Sequence, residues 1–226
     1  MPNSQKSIRV ILGDITTLQV DAIVNSANQS LLGGAGVDRA IHRAAGRGIL
    51  DECLTFDGCP VGESRLTKGY NLPAKFVIHT VGPVWMGGWN GEDEKLASVY
   101  RSALDIAQAQ GFKSVAFPCI SRGVHRYPIK RAAEIAITTV KAHPYAGTVI
   151  FCCRTQEDYL AYAGCLRSSP TTTSSSCCCK PGAEALDFVQ GDALGAAELA
   201  GRRGLKTDFL AIPFGDKRGT KVHALR

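Results

Sequence analysis

The sequence predicts an α/β layered fold, and three observations carry that reading. Short apolar, β-branched runs alternate along the chain with longer segments whose apolar residues recur every three to four positions. Two of the short runs empty into glycine-bearing loops, one at Gly33, Gly34 and Gly36 and one around Gly123, and a helical pattern follows each. Alternating strands and helices build layered sheets whose ligand loops gather along one edge. With 45% hydrophobic and 20% charged residues over 226 positions, the chain has material for one ordinary core plus an extension.

In order, residues 8–12 read as a first strand ending at a turn, Gly13-Asp14-Ile15-Thr16. By itself Asp14 is a plain turn aspartate. Residues 22–25 form a buried second strand that runs into Asn25 and Asn28. The loop that follows, Gly33-Gly34-Ala35-Gly36, leaves backbone N–H groups free at the start of a helix, where the dipole also favours an anion. A phosphate or diphosphate is the expected guest. No Lys-Ser/Thr pair follows Gly36, so this is not a P-loop, and Arg39 stands where the dinucleotide fingerprint needs a small residue. The helix begins at Val37, carries Asp38 in its first turn, and stops at Gly46. From spacing alone, Asp38 fits equally a helix-start acid answering the dipole and a group with work to do on a ligand.

A short helix is expected over 49–56, then a turn into a strand by Thr67. Residues 76–81 read as a buried strand, with His79 a hydrogen-bonded core histidine. A loop spans 85–91 and a long helix 92–110. The strand at 114–118 delivers the second loop, 120–128, and a helix follows over 129–141. The last strand is 148–153 and the closing helix 156–167.

The net charge of +6 is spread over the chain: 18 basic against 14 acidic residues up to 167, and 8 against 6 beyond. No basic run marks a nucleic-acid arm, so nucleic acid is not an expected partner. No apolar run approaches a membrane span, and the first residues lack the apolar stretch of a signal peptide, which makes a reducing cytoplasm (or nucleus) the expected location. The nine cysteines show no C-x-x-C spacing, and no metal site is expected. After Arg167 the composition shifts. Residues 168–181, with their Ser/Thr run and three adjacent cysteines, read as a low-complexity linker. Residues 182–226 read as a C-terminal extension with one plausible helix, 194–203, and an apolar segment, 209–214.

Several stretches together resemble the macrodomain family, in its MacroD-type branch with the bacterial O-acetyl-ADP-ribose deacetylases. Val24-Asn25-Ser26-Ala27-Asn28 is similar to the family's V-N-A-A-N, and Gly33 to Asp38 to its G-G-G-G-V-D with Ala35 for one glycine. Gly13-Asp14-Ile15-Thr16 and His79-Thr80-Val81-Gly82-Pro83-Val84-Trp85 match in order and spacing, and the resemblance runs from about residue 8 to 167. It implies a three-layer α/β/α fold with a mixed central sheet for residues 1–167. It also implies binding of ADP-ribose or O-acetyl-ADP-ribose without a metal or cofactor. Asp14 would take the adenine amino group and Ile15 frame the base. Gly34, Ala35, Gly36 and Val37, with Ser121, Arg122, Gly123 and Val124, would clasp the diphosphate, and His125 would cover the distal ribose less well than the aromatic usual there. Asn25 would shape the ribose pocket, and Asn28 and Asp38 would act on an ester at the distal ribose of O-acetyl-ADP-ribose or a mono-ADP-ribosylated protein. His42, four residues after Asp38, shares its helix face and could tune the carboxylate or be structural.

This chain departs from the family's S-T-G-V-Y/F-G-Y-P in the second loop, with Arg122, His125 and Arg126 for Thr, the aromatic and Gly. New guanidiniums could add charge-assisted contacts to a diphosphate, or a side chain at position 126 could strain a loop that needs positive φ. Arg154 stands where relatives place an aromatic against adenine, and it can stack on a base. Two functions are therefore in view: an eraser that hydrolyses ADP-ribosyl esters, and a reader that binds without turnover.

Overall fold

The computed structural model describes residues 6–168. The linker from 169 onward, its cysteines, the helix expected at 194–203 and the apolar segment at 209–214 lie outside the described residues. Six strands, β1 (Ser7–Leu12), β2 (Ala22–Ser26), β3 (Ser64–Lys68), β4 (Phe76–Thr80), β5 (Ser114–Phe117) and β6 (Thr148–Cys153), form one sheet in the order β1-β6-β5-β2-β4-β3. The first five strands in that order run parallel and β3 pairs antiparallel with β4 at the edge. The sheet is therefore mixed, as expected. Five helices accompany it: α1 (Val37–Ala45), α2 (Arg47–Cys53), α3 (Glu92–Ala109), α4 (Ile129–Ala142) and α5 (Gln156–Ser168).

The layers follow from the two-residue period of the strands. Ala22, Val24, Val115, Phe117, Val149 and Phe151 point to one face, where they pack with Leu96, Tyr100, Leu104, Ala136 and Tyr162 of α3, α4 and α5. Ile23, Val77, Ala116 and Cys152 point to the other, against Ile41 and Ala45 of α1 and Ile49 and Cys53 of α2. A sheet covered on both faces reads as near-continuous apolar runs, and that is why its strands were legible. Cys53, Cys59, Cys152 and Cys153 are buried, and the described cysteines are unbridged. No described helix is long and apolar enough to cross a membrane.

One element differs from expectation. The second helix starts at Arg47 rather than 49 and ends at Cys53 rather than 56. Gly46, at φ 83°, closes α1 and opens α2 directly, and its N–H bonds the His42 carbonyl. Only glycine takes that conformation cheaply, so a single residue replaces the connection the sequence implied. Leu54, Thr55 and Phe56 then form turn bonds back to Leu50, Glu52 and Cys53.

Candidate functional site

The carboxyl ends of β1, β2, β4, β5 and β6 lie along one edge, because those strands are parallel, and the loops that leave them carry most of the residues singled out above. After β1, Asp14 caps a single 3₁₀ turn at Ile15–Thr17. Its Oδ1 accepts from the Thr16 hydroxyl at 2.7 Å and the Thr16 backbone N–H at 3.0 Å. Its other oxygen faces Arg154 Nη1 at 3.3 Å, from the end of β6. The Thr16 bonds first, and then the Arg154 guanidinium, hold the Asp14 carboxyl below its ordinary range. Ile15 is buried beside it. Asp14, Ile15 and Arg154 thus meet at one end of the edge.

The first glycine loop behaves as its composition requires. Gly33 and Gly36 sit at φ 84° and 61°, and Gly36 begins α1 without any side-chain cap. No side chain therefore engages the first-turn N–H groups. Gly34 is needed for space: a Cβ there would lie 2.9 Å from Asp38 Oδ2 and 3.3 Å from Asn28 Nδ2. Asn28 and Asp38 thus flank the same glycine. Asn28 Nδ2 donates to the Gly33 carbonyl at 2.8 Å, and its Oδ1 accepts from Ser30 Oγ at 2.8 Å, so the residue also shapes the loop it belongs to.

Beneath this loop lies a network that sequence reasoning missed. Asn25 and His79 are register partners on adjacent strands β2 and β4, with side chains on the α1–α2 face. Asn25 Nδ2 donates to Asp38 Oδ1 at 2.7 Å and lies 3.1 Å from His79 Nδ1. An amide nitrogen carries two protons and accepts none, so His79 Nδ1 must be the acceptor and Nε2 the protonated nitrogen. Nε2 then donates to Thr67 Oγ1 of β3 at 2.9 Å. Burial first, and the neighbouring His42 second, push the His79 imidazole down to about 4 from 6.5, so it stays neutral. Asn25 is fully buried, so it supports Asp38 from below; only its Oδ1 lacks a protein partner.

Asp38 itself is buried, held through Oδ1 by Asn25, with His42 Nε2 3.3 Å from the same oxygen. Its Oδ2 is buried and has no protein partner. A buried carboxylate oxygen left unbonded costs free energy, and its retention beside a ligand loop calls for an explanation in function. Folding also brings His42, Cys53 and His79 within 4.8 Å of one another, a trio no spacing foretold. Both His79 ring nitrogens are hydrogen-bonded, and burial pushes the Cys53 thiol up to about 11. Those are the features of a hydrogen-bonded core.

The second loop is braced from three sides. The Trp85 N–H donates to the His125 carbonyl at 2.9 Å, and a Cβ on Gly82 would lie 2.3 Å from Ser121 Oγ, so the β4 and β5 loops pack backbone to side chain. Arg122 turns toward α5: its Nε donates to Asp158 Oδ1 at 2.9 Å and its Nη1 to the Tyr127 carbonyl. The Arg122 guanidinium, which the sequence left free to meet a diphosphate, is thus paired with Asp158. Gly123 and Val124 are exposed at the tip, and His125 is half-buried with an unpartnered Nδ1. The buried Ser121, at φ 61°, has an Oγ without a protein partner. Arg126 adopts φ 55°, so position 126 does need the left-handed region. Arg126→Gly should therefore stabilise the protein by about 0.5–1 kcal/mol, the relief of left-handed strain less the glycine's extra unfolded-state entropy. Urea unfolding checks this, and an unchanged or lower midpoint would show that the arginine is not strained.

The chain's sequence from residue 24 to 136 matches the family profile described as Macro domain. A macro domain-containing protein of Mesorhizobium japonicum is 55% identical over 176 residues, covering 74% of this chain and 99% of the relative. The human ADP-ribose glycohydrolase MACROD2 is 48% identical over 163 residues, 70% of this chain but only 38% of that longer protein. Among solved structures, a Trypanosoma brucei macrodomain in complex with ADP-ribose is similar at 45% identity and a TM-score of 0.65, covering 70% of this chain and 68% of that one.

Proposed function

We propose, from the premise that this chain belongs to the macro domain family, that it binds ADP-ribose and hydrolyses ADP-ribosyl esters, with O-acetyl-ADP-ribose and mono-ADP-ribose on protein Glu or Asp as substrates. Binding is supported by the first glycine loop, which opens α1 without a side-chain cap, by the second loop at the same sheet edge, and by the ADP-ribose complex of the trypanosomal relative. Turnover is supported by the name of the human relative, a glycohydrolase, and above all by Asp38. The observation that carries the reading is its buried, unpartnered Oδ2, next to Gly34 and Asn28, on a carboxylate whose other oxygen is held in place.

In this reading the glycine loops hold the diphosphate through backbone N–H groups, and Asp14 with Ile15 and Arg154 receives the adenine. Asn28 and Asp38 Oδ2 face the distal ribose. A water oriented by Asp38 attacks the acyl carbon. The carbon–oxygen bond to the ribose breaks, the free carboxylic acid leaves, and the ribose oxygen ends with a proton drawn from the water. Because Asn25 donates to Oδ1, the carboxylate cannot rotate freely, and the alignment is set before substrate arrives.

Incubating the purified chain with O-acetyl-ADP-ribose, and with a protein mono-ADP-ribosylated on glutamate, tests this directly. Release of acetate in the first case and of ADP-ribose in the second is expected. Tight ADP-ribose binding with neither product would replace the eraser by a reader.

A further inference from the structure

The first glycine loop has a second side. A groove of ≈ 760 Å³ runs along it, with Gly33, Gly34 and His42, the arginines Arg39, Arg43 and Arg47, and two leucines in its lining. The arginines come at four-residue intervals, Arg39 and Arg43 on α1 and Arg47 at the start of α2, and α2 follows α1 through Gly46 alone. The spacing puts Arg39 and Arg43 on one face of α1, and Arg47, beyond the break at Gly46, lines the same groove. Arg39 bonds the Gly34 carbonyl through Nε at 3.3 Å, and neither it nor Arg43 pairs with a carboxylate among the described residues. Arg47 has only an exposed contact of 3.7 Å with Asp51. Such an exposed pair contributes little and yields readily to a better-placed anion. The wall therefore presents almost its full positive charge.

The groove also lies one residue from the chemistry. Gly34, which lines it, is the glycine flanked by Asp38 Oδ2 and Asn28 Nδ2. The groove these arginines line and the candidate ester site thus share Gly34.

We propose that this groove receives an acidic segment of the modified protein, the residues flanking an ADP-ribosylated Glu or Asp. This rests on the reading that the site acts on such proteins. Three forked guanidiniums spaced along a groove complement successive carboxylates, and a small acyl substrate would have no use for them. Preference among protein substrates would then follow their local negative charge and weaken with salt.

The test uses the full chain, a rhodamine-labelled hexaglutamate peptide, hexaglutamine as the neutral control, and the Arg43→Gln/Arg47→Gln double variant. Both substituted side chains are exposed. Hexaglutamate should bind the wild type in a salt-sensitive way and hexaglutamine should not, and the double variant should weaken hexaglutamate binding about tenfold. Turnover of O-acetyl-ADP-ribose should be unchanged in the variant, while KM for a peptide ADP-ribosylated within an acidic stretch should rise. Arg9→Gln/Lys95→Gln, on the edge strand β1 and on α3, removes the same two charges away from the groove and should leave peptide binding as it is. Equal binding of the two peptides, or undiminished hexaglutamate binding by the double variant, would overturn the proposal. So would an oligonucleotide of equal charge that binds through Arg43 and Arg47 where hexaglutamate does not. Peptide binding needs no turnover, so a wild type that binds hexaglutamate through these arginines but hydrolyses nothing would sink the reaction and leave the groove.

Discussion

Replacing Asp38 by Asn should lower turnover of O-acetyl-ADP-ribose by about 10²- to 10⁴-fold while leaving ADP-ribose affinity within about threefold, the range a positioned acid–base group supplies. The substitution keeps the shape and keeps Oδ1 as an acceptor for Asn25, so the buried support survives. What it removes is the negative charge at Oδ2 and the second acceptor there. An alanine at the same place would also strand the Asn25 amide in a fully buried position, and its effect would mix stability with chemistry. Single-turnover rates and calorimetric binding on the Asn variant separate these contributions. If ADP-ribose binding fell as steeply as turnover, Asp38 would be a binding residue, and the hydrolytic assignment would lose its carrier.

Unfolding free energy should fall by about 3 kcal/mol as pH drops from 6.5 to 4, because His79 takes up its proton only in the unfolded chain over that interval. The sign follows from the depressed imidazole, about 4 in the folded protein against 6.5 ordinarily. Above 6.5 neither state is protonated at this ring, and below 4 both are, so the loss is confined between. Asp14, Asp21 and Asp93 are shifted the other way, below 3.8: Asp14 by its Thr16 hydrogen bonds, Asp21 because burial, its largest single influence, is outweighed by the Lys113 N–H, Lys75 and Ser114 together, and Asp93 by Arg131. Their stabilisation is present above the ordinary carboxylate range and disappears only as pH falls through and below it, beneath the histidine window. Urea midpoints across pH give the slope, and His79→Gln should flatten it between 6.5 and 4. Should that variant not fold, NMR titration of the wild-type ring answers the same question: a His79 pKa near 6.5 would refute the buried neutral tautomer. It would also break the assignment of Asn25 as donor to both Asp38 and His79.

Much of the site was legible before any coordinates. Asn28, Asp38 and the glycines at 33, 34 and 36 share one loop and helix start, and residues so close in sequence have few places to go. His79 as a hydrogen-bonded core residue was legible too, from an imidazole inside an apolar strand run, and it is fully buried. The partners were not. Thr67 is an unremarked residue of an edge strand, and nothing in its neighbourhood announces a histidine twelve positions on. Arg122 looked like a free cation because Asp158, thirty-six residues later, carries no local sign of reaching back. The positive φ at Arg126 is set by the backbone alone and leaves no mark in the sequence.

By itself, the sequence determined the alternation of strands and helices, the sheet with apolar residues on both faces, and the two loops, since all of these rest on local periodicity and on glycine's freedom. Tertiary structure alone decided which polar groups meet. Asn25 and His79 share a face because β2 and β4 pair in that register, and a slip of one residue would have sent one of them to the opposite layer. The position of the Asp38 carboxylate is a consequence of that register: its Oδ1 is bonded because Asn25 stands beneath it.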